Sequence, residues 1–318
     1  MRILFFGSPR IAVPFLEVCA GKHEVLAAVT NPDKPAGRGL ALAPTPVKAA
    51  AERLGIPVLD PKSPSEVAPK LKAMGADMAV VVAYGRILKP DVLGAARLGF
   101  MNAHFSLLPK YRGAAPIAWS LIKGETKTGV TLFWLDEGMD TGPIQLQREL
   151  EVGPDMDASE LTERLVGVGT QALEEALAEI EAGRVLRRPQ TGASSTAPKL
   201  KSEDGRVDFN MPAMELHNRV RGLVGSGRAF TILQQPGRSS MRLLLLKSRL
   251  PSGPDKNPLP PLSPASVVRV ERMEGILIQC SFGRIWVVEV QPEGKKPMPA
   301  AEYAHGLRLK SGDRILTV

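Results

Sequence analysis

The chain has 318 residues, of which 44% are hydrophobic, and a mean hydropathy of −0.03. That is enough for two domains with packed cores, and it excludes a disordered chain or, with no apolar run of about 18 residues, a membrane-spanning one. The formal net charge of +8 is uneven: residues 1–188 hold 22 Lys+Arg and 22 Asp+Glu, whereas residues 189–318 hold 19 against 11. A basic part joined to a neutral one points to a polyanionic partner, with nucleic acid first; a basic surface kept for solubility is the alternative.

Met1 is followed at once by RILFFGSP, which reads as a first strand and leaves no room for a signal or transit peptide. Further strand-like runs, EVLAAVT, DMAVVVAYG and GFMNAHF, end in polar or Gly-rich loops. Between them PVKAAAERLG, PSEVAPKLKAMG and APIAWSLIKG carry apolar residues at helical spacing, with Gly as a stop signal. TGVTLFWLD and GPIQLQRELEV lie close together as a late strand pair, and a long amphipathic helix runs from Asp157 to Gly183. The βαβ pattern predicts an α/β fold with a doubly wound, mostly parallel sheet over residues 1–188. Residues 189–206, rich in Pro, Ser, Thr and Gly, read as a linker. A short helix, PAMELHNRVRGL, and the pieces RAFTIL, MRLLLLKSRL, ASVVRVER, GILIQC and RIWVVEVQ predict a small OB-like β-barrel over residues 207–318. Cys19 and Cys280 are far apart and form no CxxC, so neither a disulfide framework nor a metal site is expected, and a reducing, cytoplasmic compartment fits.

A doubly wound fold invites a nucleotide, yet GSPRIA after the first strand is not GxGxxG, and GxxxxGK[ST] is absent. Ligands of such sheets bind beyond the carboxyl ends of the strands. Asn102 and His104 end one such strand and, two residues apart, point to the same side of it. AYGRIL (83–88) ends its expected neighbour, and LDEGMDTG (135–142) follows the next strand. His104 alone would be read as a structural histidine; with Asn102 before it and an Asp-bearing loop nearby, a site is the better reading. Residues 31–48, with Lys34, Arg38 and Lys48 among Gly and Pro, are too long for an ordinary βα loop.

NAHFSLLPKYRGAAPI resembles the NxHxSLLPxxRGxxP signature of the folate-dependent formyltransferases. FFGSP, NPDKPAGRG, VVAYGRIL, DEGMDTG, APKLKSEDGRVDF and PEGKKPMPAAEYAHGLRLKSGD are similar, in order and spacing, to the branch of that family that acts on initiator tRNA, so the resemblance covers nearly the whole chain. It implies a Rossmann-like formyltransferase core that passes the formyl group of 10-formyltetrahydrofolate to the α-amino group of methionyl initiator tRNA. Asn102 and His104 would hold the oxyanion, and Asp140 would accept the proton of the attacking ammonium. Asp136, directly at the strand end, is its rival and better suited to a turn. Ile87, Leu88, Ser106, Leu107, Leu108 and Pro109 would line the folate site, although core packing is the alternative for each apolar one. Arg38, Lys34 and Lys48 in the long loop, with Lys199 and Lys201, would contact tRNA, and a monomer is expected. Arg112 is either part of the signature's use or a surface charge.

The sequence departs from the family at VGSGRAF (224–230), where the family usually has Pro-Trp-Pro-Gly-Ala-Phe, and at Thr196, where it usually has Tyr. Both changes bear on domain orientation and tRNA contacts rather than on the chemistry. Three other functions are compatible with parts of the pattern: a formyltransferase acting on a small amine such as a sugar nucleotide, an RNA-binding protein with an inert core, and a folate-dependent hydrolase. The basic C-terminal part and the 31–48 loop argue against the first, the intact Asn102, His104 and Asp140 against the second, and the basic tail against the third.

Overall fold

The first strand, β1 (Arg2–Gly7), is buried from Ile3 onward, which explains its unbroken apolar run: it lies inside the sheet and both of its faces are covered. The structure, a computed structural model, describes residues 1–36, 41–225, 228–233, 240–253 and 262–315. After β1 come α1 (Val13–Lys22), β2 (Glu24–Val29), β3 (Lys34–Ala36), β4 (Ala41–Ala43), α2 (Pro46–Arg53), β5 (Val58–Leu59), α3 (Ala68–Ala73), β6 (Met78–Val82) and α4 (Pro90–Leu93). Then follow β7 (Phe100–His104), α5 (Pro116–Ile122), β8 (Lys127–Trp134), β9 (Ile144–Glu151) and α6 (Ala158–Glu181). Seven of these strands form one sheet in the order β5-β2-β1-β6-β7-β8-β9. The first five run parallel, while β8 and β9 are antiparallel to their neighbours. This is the mostly parallel α/β sheet expected from the sequence, with the late strand pair at its end. Its core on one face gathers Leu4, Phe6, Leu71, Val81, Tyr84 and Phe100.

Beyond α6 the chain forms α7 (Ala213–Gly222), β10 (Ala229–Leu233), β11 (Met241–Arg249), β12 (Val267–Glu271), β13 (Gly275–Gln279), β14 (Arg284–Pro292), β15 (Met298–Pro299) and α8 (Ala300–Gly306). These strands pair antiparallel as β10-β11-β14-β13-β12, with β15 added to β14. The small antiparallel domain is thus present; among the described residues its pairings form an open path rather than a closed barrel.

By contacts the chain divides into two units. Unit 1 holds residues 1–116, 127–151 and 162–198; unit 2 holds 117–126, 152–161 and 199–318. The segment read as a linker, 189–206, is therefore split: residues up to Pro198 pack with the large sheet and those from Lys199 with the small one. In unit 2, α7 is fastened by buried polar groups. Arg221 donates to the carbonyls of Gly153 and Met156, and His217 Nε2 donates to Pro154 O at 3.1 Å. Cys19 and Cys280 are free and buried, and burial pushes both thiols up to about 12. Among the described residues no helix is long and apolar enough to cross a membrane.

Candidate active site

The carboxyl ends of β1, β2 and β6 are tied together by Asn31. Its amide nitrogen donates to Ser8 Oγ at 2.8 Å and to Tyr84 O at 2.9 Å, and its oxygen accepts from Arg86. The loops AYGRIL and NPDK are thereby held against the first turn. Thr45 caps α2 through Lys48 N and, with Pro46 behind it, sets where the inserted segment ends.

β7 delivers the central pair. Asn102 lies between Val81 on β6 and Phe133 on β8 and is half-buried, and its side chain makes no hydrogen bond among the described residues. Its amide is free to donate to a ligand. His104, in register with Thr131, is buried against the Phe133 ring. Its Nε2 sits 2.9 Å from Tyr111 O, and because a carbonyl only accepts, Nε2 carries the proton. That leaves Nδ1 facing Asp140 Oδ2 at 3.6 Å. Burial lowers the His104 pKa, and the Asp140 charge and the Tyr111 carbonyl oppose that shift. The resting ring is accordingly neutral, with a lone pair at Nδ1 turned toward a carboxylate.

Asp140 adopts a left-handed backbone at φ +54°, and its Oδ2 accepts from Gly113 N at 2.7 Å. Gly113 is itself at φ +122°, and a Cβ there would stand 2.7 Å from Ala197 O, so only glycine brings this amide to the carboxylate. Asp136 plays the other role. Its Oδ1 accepts from Gly138 N and from Thr141 Oγ1, closing the turn on which Asp140 stands.

The loop after β7 is pinned through Thr131. This buried hydroxyl donates to Ser106 O at 2.6 Å and accepts from Leu108 N and Gln147 Nε2. Ser106 Oγ turns back on its own loop, to Lys110 O.

Residues 1–177 match the family model described as "Formyl transferase", and residues 199–308 match "Formyl transferase, C-terminal domain". A curated methionyl-tRNA formyltransferase from Elusimicrobium minutum is 41% identical over 99% of both chains. Another from Sorangium cellulosum is 42% identical over 98% of both. The chain belongs to the methionyl-tRNA formyltransferase family. Among solved structures, an N-formyltransferase from Helicobacter canadensis, in complex with folinic acid and dTDP-3-aminofucose, superposes with a TM-score of 0.66 at 20% identity, over 90% of this chain and 98% of its own. HypX from Aquifex aeolicus, in complex with tetrahydrofolic acid, gives 0.65 at 18% identity, over 100% of this chain and 50% of that one. At these identities the likeness concerns the fold.

Within this formyltransferase fold, Asn102, His104 and Asp140 come together at one end of the sheet. The six apolar and loop residues expected around a folate divide. Ile87 is 83% exposed, and Leu107 and Pro109 are half-buried beside the loop. Leu88 packs in the core with Phe6 and Phe100, Leu108 packs with Phe133 and Ile144, and Ser106 is buried. For Leu88 and Leu108 the side chains serve the core, and only the backbone remains to meet a ligand.

The basic residues also divide. Lys34 and Lys199 are exposed. Lys48 is held by both oxygens of Asp33 and by Asp60, all at about 3 Å, and those hydrogen bonds push its pKa up. Its ammonium closes the base of the 31–48 segment instead of standing free for a phosphate. Arg38 lies outside the described residues. Lys201 lines a cavity of about 620 Å³ in unit 2, together with Arg228 and Arg242. Arg228 falls in the stretch where the sequence departs from the family pattern, and Thr196 bridges Arg112 through the backbone. Sequence reasoning did not single out Tyr111, Gly113, Thr131 or Gln190. Their contributions are a carbonyl, an amide, a buried hydroxyl and a side chain in a linker-like stretch, none of which has a periodic signal.

Proposed function

We propose that this chain transfers the formyl group of 10-formyltetrahydrofolate to the α-amino group of methionyl initiator tRNA, with Asn102, His104 and Asp140 as the catalytic residues. The observation that carries the assignment is the unpaired Asn102 amide beside a neutral His104 whose Nδ1 faces Asp140. The amine attacks the formyl carbon, and the carbonyl oxygen gains negative charge. Asn102 donates to that oxygen from a position it holds before the reaction begins. His104 cannot donate from Nδ1 while neutral. It first takes the proton that the attacking amine releases, shared with Asp140, and only then is it a donor to the oxyanion or to the leaving nitrogen of the folate. The proton lost by the amine thus returns to the tetrahydrofolate that departs, and no external acid is needed.

For the folate, Ile87, Leu107 and Pro109 supply apolar surface, and the 83–88 and 106–109 backbones supply polar edges suited to a flat pterin. For the tRNA, the basic C-terminal part supplies charge: Lys199 stands exposed, and Lys201, Arg228 and Arg242 gather at one cavity. Lys34 and Arg38 of the long loop complete the set. The test is direct. The protein is incubated with label in the formyl group of 10-formyltetrahydrofolate and with charged initiator tRNA. Label that becomes stable on methionine supports the assignment. Label released as formate, or captured only by a sugar-nucleotide amine, overturns it.

A further inference from the structure

Beyond these three residues, the strip 190–197 holds the centre in place. It was expected to be part of a linker, yet it hydrogen-bonds to both loops that carry the site. Ser195 Oγ accepts from Tyr111 N at 2.9 Å, and Ser195 O accepts from Arg112 N at 2.8 Å. Ala197 N donates to Arg112 O, and Ala197 O accepts from Ala115 N. Tyr111, whose carbonyl fixes the proton of His104, is left-handed at φ +61°. Gln190 completes the strip. Its Nε2 donates to Asp140 O at 2.8 Å and to Gly142 O at 2.9 Å. Its Oε1 accepts from Arg112 Nε at 3.2 Å and from Nη2 at 2.7 Å.

Every hydrogen-bonding position of this amide is used by a partner of matching sense. Turning it over would set its oxygen against two carbonyls and its N–H groups against a guanidinium, so the orientation is unique. The amide is thus a bracket between the signature loop and the Asp140 turn. A left-handed non-glycine backbone is unfavourable and persists only when its surroundings hold it. At Asp140 the two bonds from Gln190 do the holding, on the carbonyl of the strained residue itself and on that of Gly142.

We propose that Gln190 is a positioning residue for formyl transfer, acting through the Asp140 main chain and anchored by the Arg112 guanidinium. The inference rests on the assignment of Asp140 as catalytic. It gives Arg112 a use within the protein and makes the 190–197 strip part of the active-site scaffold.

The experiment measures steady-state turnover of the full chain with 10-formyltetrahydrofolate and charged initiator tRNA. The variants are Gln190→Ala, Gln190→Glu, Asp140→Asn and the double variant Gln190→Ala/Asp140→Asn. Gln190→Glu keeps the size and the bond to Arg112 but turns an acceptor toward the two carbonyls, so it remains readable if the alanine variant folds poorly. The expected result is a fall in kcat of about ten- to a hundredfold in both Gln190 variants, as a misplaced catalytic group gives, with KM for both substrates within about twofold. In the Asp140→Asn background, Gln190→Ala should cost less than about twofold more, because its effect runs through a group already disabled. Losses that multiply in the double variant, a rise in KM without a fall in kcat, or a normal kcat in Gln190→Glu would overturn the positioning role. A slow Asp140→Asn with a normal Gln190→Ala would overturn this inference alone. A fully active Asp140→Asn would overturn the catalytic assignment beneath it as well.

Discussion

His104 binds one proton at rest, and the Tyr111 carbonyl decides which nitrogen has it. Its other nitrogen, Nδ1, faces the Asp140 carboxylate, and it is there that the proposed mechanism delivers the proton of the amine. Since burial lowers the His104 pKa from its usual value of about 6.5, the ring is ready to accept a proton at neutral pH and loses that ability only in acid. We therefore expect kcat/KM to be level near pH 7 and to fall along an acid limb whose midpoint lies below about 6.5. Initial rates with charged tRNA across pH 4.5–8 test this, and a midpoint well above 7 would remove His104 as the base. Substitutions make the same argument. Asn102→Asp puts a negative charge where an oxyanion should form, and Asp140→Asn keeps shape while losing the carboxylate with which His104 shares the proton. Loss of one preorganised donor costs about 2.7–4 kcal/mol, roughly a hundred- to a thousandfold in turnover. Both variants should fold, bind tRNA and turn over slowly, and a triple variant with His104→Ala should be little worse than the worst single. Independent, multiplying losses would mean the three do not act as a unit.

At the next scale, the loop after β7 keeps its shape because Thr131 on β8 satisfies three partners with one buried hydroxyl. Thr131→Val preserves volume but leaves Ser106 O and two donors unanswered, a loss of about 1–3 kcal/mol. Denaturant melts should register that loss. Steady-state kinetics should show a raised KM for the folate, since Leu107 and Pro109 ride on this loop; an unchanged melt and KM would argue against both roles. In unit 2, α7 depends on a neutral His217. Its Nδ1 accepts from Ser248 Oγ at 3.0 Å, its Nε2 donates to Pro154 O, and burial lowers its pKa. The unfolded chain then takes up a proton at higher pH than the folded one, so stability falls as pH drops below about 6.5. Thermal unfolding between pH 5 and 7 should show this slope, and His217→Gln should flatten it. The strands and the Asn102–His104 pair were legible because continuous apolar runs and a polar strand end are written in neighbouring residues. The part played by Gln190 was not legible. It sits among Pro, Ser, Thr and Gly that read as linker, and its partners at 112, 140 and 142 are remote in sequence. Lys48 was misleading for the same reason: the residues that neutralise it, Asp33 and Asp60, come from two separate loops.

The whole molecule divides its charge as it divides its work. The neutral N-terminal residues hold the proposed catalytic centre, and the excess of eight positive charges lies in residues 189–318. A phosphate backbone that meets those charges releases counterions, so tRNA affinity should fall linearly in log–log form as salt rises. The cavity of unit 2 allows a sharper statement. Arg228 is hydrogen-bonded to Gln291 and Arg242 is stacked on Phe230, 3.7 Å from the ring centroid, so both guanidinium groups are restrained before any ligand arrives. Groups restrained in this way lose little entropy on binding. We expect Arg228→Gln, Arg242→Gln and Lys201→Gln each to weaken tRNA binding and to reduce the salt slope by about 1, the share of one phosphate contact. Folate affinity should stay as it was, because none of the three lies near Asn102 in sequence or in the same unit. Filter binding of charged initiator tRNA between about 50 and 200 mM salt gives the slopes. An affinity indifferent to salt would show that the basic half does not grip the backbone. Slopes in all three variants equal to that of the unaltered chain would move the tRNA contacts elsewhere on that half, toward Lys199 and the exposed face beside it.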